Sequence, residues 1–299
     1  MVINSLAERS GLALQDGSSD SAHEKTDMKG TLPMRNIIRS VRLSALVVAS
    51  TAAFAQPKGV LLADLTWQEA EKVLKPDTVV VIPLGGEAKE HGPHMLLNID
   101  YVQTEYVKKQ ILERANVVVA PTINYSYYPA FVDYPGSTSL TLETARDMVV
   151  EICRGLARFG PRRFYVINMG VSTALALKPA AEILGYEGIL LTFKVEHRDQ
   201  PGNLSGTGTH ANQEETSNLL YIDPAHVDMS KAVDDYHPSI TPGVPVLTRD
   251  PHNPGVYSVS GVYGFATRAT REEGERNMKG YVESALKDIE DLRKSGTHK

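Results

Sequence analysis

Beyond residue 56 the chain alternates short unbroken apolar runs with stretches whose apolar residues recur at helical spacing. That alternation restricts the fold more than any other feature. A strand that is apolar at every position must be covered on both faces, which helices packed above and below a parallel sheet provide. Thr78 to Leu84 reads as such a buried strand, running into a Gly-rich loop. Val117 to Ala120, Arg163 to Asn168 and Ile189 to Val195 read as three more. Between them Asp100 opens a helix with Val102, Tyr106 and Ile111 on one face. Thr141 to Phe159 is helical, with Ala145, Met148, Val149, Ile152 and Leu156 in register, and Gly160-Pro161 stops it. Thr173 to Leu184 is a further helix. Near the C-terminus Thr270-x-x-Glu273 reads as a capping box opening a long amphipathic helix through Met278, Val282, Ala285 and Ile289. With 42% hydrophobic and 22% charged residues and no internal repeat or linker after residue 56, one domain over 56–299 is expected. Its class is α/β, a three-layer α/β/α arrangement around a mostly parallel sheet.

The residues before that domain have another character. Arg35, Arg39 and Arg42 precede an apolar run from Leu43 to Ala53, which is too short to span a bilayer. Ala53-Phe54-Ala55 then offers small residues at both positions of a leader cleavage site. Residues 34–55 therefore read as a signal peptide, with Met34 as the start and the polar, aperiodic 1–33 as a disordered over-extension. The expectation is export, to a periplasm or the exterior, with no membrane association once the leader is removed. A formal net charge of -5 supplies no footprint for nucleic acid. The lone Cys153 excludes an internal disulfide and a cysteine zinc cluster, and reads as a small buried hydrophobe.

In open α/β sheets, ligands sit beyond the carboxyl ends of the strands. Three polar segments qualify. Gly85-Gly-Glu-Ala-Lys-Glu-His-Gly-Pro-His94 packs two histidines and two glutamates into a compact turn, with Asp100 at the start of the next helix. Asn168-Met-Gly-Val-Ser-Thr173 follows another strand, and Thr209-His-Ala-Asn-Gln-Glu-Glu-Thr-Ser217 opens a helix. An imidazole with carboxylates is a donor set for zinc or manganese, and such an ion activates water and polarises the carbonyl of an amide. Two plainer readings stay open: the His-Gly-Pro-His run as a structural turn, and Glu215 as an acid favoured at a helix N-terminus. Ser172 beside His210 is a weaker candidate nucleophile, since serine there caps a helix more often than it attacks. Tyr125 to Tyr128, Tyr257 and Tyr263 either line a pocket or pack loops and subunits.

The run PLGGEAKEHGPHMLLNID resembles the creatininase-family signature, roughly P-x-G-S-x-E-x-H-G-P-H-L-P-x-x-T-D. The resemblance continues in order through Tyr134-Pro-Gly-Ser-Thr-Ser-Leu140, Thr209 to Ser217 and Ser260-Gly-Val-Tyr-Gly-Phe-Ala-Thr-Arg-Ala-Thr270. It implies an amidohydrolase fold holding two divalent ions, a small-molecule amide substrate with a cyclic or linear C–N bond, and a homo-oligomer. By the same resemblance His91 and Asp100, nine residues apart as in the family, are metal ligands. His210 and Glu215 take the catalytic positions of proton transfer and its support. Two departures bear on the ions. Lys89 stands where the family has a ligand glutamate, so Glu90 or Glu87 is the substitute ligand, and Gly170 stands where a loop histidine belongs. Ser172 replaces a further glutamate. Two functional readings follow: a hydrolase with one remaining ion, zinc or manganese, on His91, Asp100 and Glu90; or an exported binding or structural protein in which Lys89 neutralises Asp100.

Overall fold

The computed structural model describes residues 57–194, 208–237 and 246–296. The leader-like segment and the expected end of one strand at Val195 lie outside them. In chain order the main elements are β1 (Val60–Leu61), α1 (Trp67–Val73), β2 (Val79–Leu84), α2 (Ile99–Arg114), β3 (Val118–Val119), α3 (Leu142–Ala157), β4 (Arg163–Asn168), α4 (Ala174–Tyr186) and β5 (Leu190–Phe193). They are followed by β6 (Gly208–His210), α5 (Gln213–Ile222), β7 (Asp234–Asp235), β8 (Leu247–Thr248), β9 (Val256–Tyr257), β10 (Tyr263–Phe265) and α6 (Arg271–Lys294).

β1 to β5 form a parallel sheet in the order β1-β3-β2-β4-β5. The period-two geometry of a strand sends alternate residues to opposite faces, and β2 shows why an all-apolar strand was required. Val80, Ile82 and Leu84 meet Val149, Val150 and Cys153 of α3 and Leu177, Ala180 and Leu184 of α4. Val79 and Val81 meet Val107 and Ile111 of α2 and Met278, Val282 and Ile289 of α6. The expected three layers are therefore present, and burial pushes the Cys153 thiol up to about 12. No helix among the described residues is long and apolar enough to cross a membrane.

Two local expectations change. The face of α2 turned inward is Ile99, Asp100, Gln103, Thr104, Val107 and Ile111, whereas Val102 and Tyr106 are half-buried. The polar members of that face have partners: Thr104 Oγ1 donates to Leu84 O at 3.1 Å, and Gln103 Oε1 accepts from Asn218 Nδ2 at 3.0 Å. At the start of α6, Thr270 accepts from Glu273 N at 3.2 Å, but Ser217 Oγ receives the Thr270 N–H while Glu273 turns to Gln213 Nε2 at 2.7 Å. Half of the capping box forms, and the other half becomes a tie between α5 and α6. The antiparallel sheet β6-β10-β7 was not anticipated. Its strands have two or three residues each, too few to show alternation.

Candidate active site

The site lies beyond the carboxyl end of β2. A Cβ on Gly85 would overlap Thr104 Oγ1 and the backbone of Asp100. Glycine there lets the first turn of α2 press against the strand end, and Asp100 enters the site from the helix N-terminus, where a carboxylate is favoured. Lys89, Glu90 and His91 follow in the loop, all buried, and each takes a different partner. Lys89 Nζ lies 2.7 Å from Asp100 Oδ2, a close ion contact off the line of a hydrogen bond, and faces the rings of Phe131 (5.0 Å) and Tyr128 (5.5 Å). Glu90 turns the other way. Its Oε1 lies 2.6 Å from His210 Nε2, and its Oε2 accepts from Gly92 N at 2.8 Å. His91 Nδ1 lies 2.9 Å from Lys89 O, and its Nε2 lies 3.0 Å from Asp100 Oδ1.

His210 ends β6, opposite Tyr263 of β10. The next residue, Ala211, has φ 47, the one positive value outside glycine among the described residues, a strained conformation of the kind that collects at working sites. Its N–H donates to Glu215 Oε2 at 2.5 Å, while Asn212 caps α5 by accepting from Glu215 N at 3.1 Å. Glu215 thus serves the helix N-terminus and also faces His210, whose Nδ1 is 3.6 Å from Glu215 Oε2. The Phe131 ring lies 4.1 Å from the His210 ring, and the His91 and His210 rings are 5.1 Å apart. On the far side Gly261, at φ +78, leaves room for Glu90; a Cβ there would strike its carboxylate.

The electrostatics follow from this arrangement. Burial alone would raise Asp100, yet Lys89 and His91 beside it hold its carboxyl well below the usual carboxylate range. Burial works against the Lys89 ammonium, but Asp100, Glu215 and Glu90 outweigh it and the pKa is raised. Burial likewise opposes the Glu90 carboxylate, but His210, with the Gly92 N–H and His91, outweighs it, so Glu90 is lowered. Burial, reinforced by His91, pulls His94 down to about 4; its Nε2 meets Thr216 Oγ1 at 2.8 Å and its Nδ1 has no partner.

A charge count tests the family's ions against these residues. Glu90, Asp100 and Glu215 are three buried carboxylates against the single Lys89 ammonium, so the balance has to come from a cation that the His91 and His210 imidazoles bind, a proton or a metal ion. Buried charge in that amount is costly unless balanced. His91 makes the same point locally. A carbonyl only accepts, so Nδ1 carries the ring proton toward Lys89 O. Nε2 then faces a carboxylate oxygen, an arrangement that calls for a cation between them, either a second proton or a metal ion. One divalent ion fits both observations, and ligand atoms of His91, His210 and Glu215 lie within 4.8 Å of one another. Two do not fit: the Lys89 ammonium already sits on Asp100, and Gly170 brings no side chain.

Of the residues expected from sequence, His91, Asp100, Glu90, His210 and Glu215 are in this cluster, but not grouped as anticipated. His91 and Asp100 meet, whereas Glu90 joins His210. Glu87 turns elsewhere, accepting from Asn124 Nδ2 at 2.6 Å. Neither nitrogen of His210 is turned to Ser172, which lines a small cavity with Lys89, Phe131, Thr209, His210 and Glu215. That cavity measures about 10 Å³, room for about one water. Tyr128 and Tyr263 are buried and Tyr257 is exposed. Phe131, Ala211 and Gly261 were not singled out from sequence. For Gly261 a signal existed, since it lies in the run from Ser260 to Thr270; Phe131 carries none.

Residues 63–289 match the profile of the Creatininase family, described as creatinine amidohydrolase. The chain belongs to this family. Creatinine amidohydrolase of Pseudomonas putida is 30% identical over 242 residues, covering 73% of this chain and 91% of that protein. A mycofactocin precursor peptide peptidase of Mycolicibacterium smegmatis is 29% identical over 209 residues, covering 66% and 78%. Among solved structures, a manganese form of creatininase superposes with a TM-score of 0.65 at 26% identity, covering 79% of this chain and all of that one. Mutant creatininases in a Zn-Zn form and in complex with creatine each superpose with a TM-score of 0.64 at 26% identity, covering 79% of this chain and 99% and 100% of theirs.

Proposed function

We propose that the protein is an exported creatininase-family amidohydrolase that cleaves the C–N bond of a small non-peptide amide with one divalent ion, zinc or manganese. The observation that carries this reading is the buried group of His91, His210 and Glu215, whose ligand atoms lie within 4.8 Å of one another, with Asp100 against His91. His91 and Glu215 of that group would hold the ion, with Asp100 against His91 Nε2. When bound, it would lower the pKa of a water and polarise the substrate carbonyl. The chain's own residues do the rest. Glu90 accepts from His210 Nε2 and fixes the ring, so Nδ1 is the atom left to carry a proton to the leaving nitrogen. Glu215, 3.6 Å from that nitrogen, stabilises the imidazolium so formed. Phe131 covers the ring face and keeps water from it. One relative is a creatinine amidohydrolase and another a precursor peptide peptidase, which supports an amide bond as the target and names no single substrate.

A second reading, a metal-free binding protein on the same scaffold, is favoured by the Lys89–Asp100 contact and by a cavity of about 10 Å³. Elemental analysis of protein purified without chelators separates the two. About one zinc or manganese per chain, lost in His91→Ala together with hydrolysis of an amide panel, supports the hydrolase. A clean apo protein with unaltered stability supports the binder.

A further inference from the structure

We propose that Lys89 is a built-in replacement for a cation, and that its ammonium limits this site to one divalent ion per chain. The inference deepens the hydrolase reading and rests on it only for the ion that remains.

Asp100 divides its two oxygens between two positions. Oδ1 faces His91 Nε2 at 3.0 Å, and Oδ2 faces Lys89 Nζ at 2.7 Å. A carboxylate that shares itself in this way bridges two cation positions, and the second is taken by an ammonium tethered to the loop after β2. Lys89 is 3% exposed and lies over the Phe131 and Tyr128 rings, whose faces favour a cation. The position is therefore built for positive charge, and the chain supplies that charge itself. The opposite wall of the cavity agrees. Met169, Gly170, Val171 and Ser172 line it, and they offer neither an imidazole nor a carboxylate. A second divalent ion would find Asp100 Oδ2 occupied, a fixed positive charge within contact distance, and Glu215, the one carboxylate lining the cavity, already engaged by the Ala211 N–H. Like charges at such separations in a dry site repel strongly.

The test counts ions. The full-length chain, stripped with EDTA, is titrated with zinc and with manganese by calorimetry, and the metal content of the loaded protein is measured by elemental analysis. Wild type should take one ion per chain. Lys89→Met, which keeps the length and removes the charge, should take a second ion or bind the first at least tenfold more tightly. Zinc should also raise the Tm of Lys89→Met by more than it raises that of wild type. Two ions per wild-type chain would overturn the inference while leaving a metal hydrolase in place. No ion in wild type but one in Lys89→Met would keep the inference and end the single-ion hydrolase. Equal counts and affinities in both chains would refute the role of Lys89. Should Lys89→Met not fold, Lys89→Gln serves the same comparison, and a wild-type count of two still overturns the inference by itself.

Discussion

The loops leaving β2 and β4 start side by side, where Leu84 pairs with Asn168, yet they are stabilised by opposite means. The first buries Lys89, Glu90, His91 and His94; Lys89 and His91 lean on Asp100 of the next helix, Glu90 and His94 on His210 and Thr216 more than a hundred residues on. The second buries no titratable group. It is held by neutral hydrogen bonds: Asn168 Nδ2 donates to Gly170 O at 2.9 Å, and Thr173 Oγ1 lies 2.5 Å from both Gly170 O and Asn168 Oδ1. Two equivalent strand ends thus carry unequal electrostatic risk. The buried charge of this family member is concentrated at one of the two strand ends.

The largest expected effect comes from unbalancing the charged side. Asp100→Ala leaves the Lys89 ammonium buried without its nearest counter-charge, a defect of about 3–5 kcal/mol. Urea denaturation of the stripped protein should show it as a lowered midpoint at unchanged slope. A loss below about 1 kcal/mol, the scale of an exposed ion pair, would mean that the two loops are not energetically distinct. The next effect depends on pH. His94 is held down at about 4 by burial and His91, with Glu215 and Glu90 pulling the other way and His210 adding to the lowering. The unfolded histidine takes its proton near ~6.5. Stability from the neutral ring is therefore complete above ~6.5 and falls as pH drops toward 4. Such a shift is worth about 3 kcal/mol if fully felt, and roughly 2 after partial screening. Denaturation at pH 7 and pH 4.5 should show this loss in wild type and a smaller one in His94→Asn; identical losses in the two proteins would remove His94 as the cause. Gly261→Ala acts on the same side by shape. It places a Cβ against the Glu90 carboxylate at φ +78, and strain of this kind costs about 1–3 kcal/mol. The variant should lose the Glu90–His210 contact, visible as altered imidazole NMR shifts.

The same contrast decides what the sequence could reveal. β2 was legible because an all-apolar run of six residues has few other fates, β4 because Phe164 to Ile167 is such a run on a shorter scale, and α3 because its start at Thr141 and its stop at Gly160-Pro161 both lie in the sequence. Lys89 was legible as a misplaced charge, and the structure places its ammonium on Asp100. The partner of Glu90 was not legible. Its carboxylate could turn toward His91 or away, and what turns it away is His210, 120 residues downstream. The room for that turn comes from Gly261 on a strand connection too short to show a pattern. The inward face of α2 was misjudged for a related reason: apolar periodicity cannot mark Gln103 and Thr104 as core when their burial depends on partners from other segments.

The smallest expected effect tests the neutral loop. Ser172 is half-buried in the cavity wall, and neither nitrogen of His210 is directed at it. Ser172→Ala removes a hydroxyl that balances no charge and caps no backbone group in the bonds around Gly170. Its effect on stability should stay within about 0.5 kcal/mol, as for substitutions away from buried networks. Hydrolysis of whatever amide the wild type accepts should persist, because the proposed proton carrier and ion ligands all come from elsewhere. Complete loss of hydrolysis in a folded Ser172→Ala protein with its ion still bound would transfer the chemistry to the β4 loop. The asymmetry between the two strand ends would then be one of charge alone.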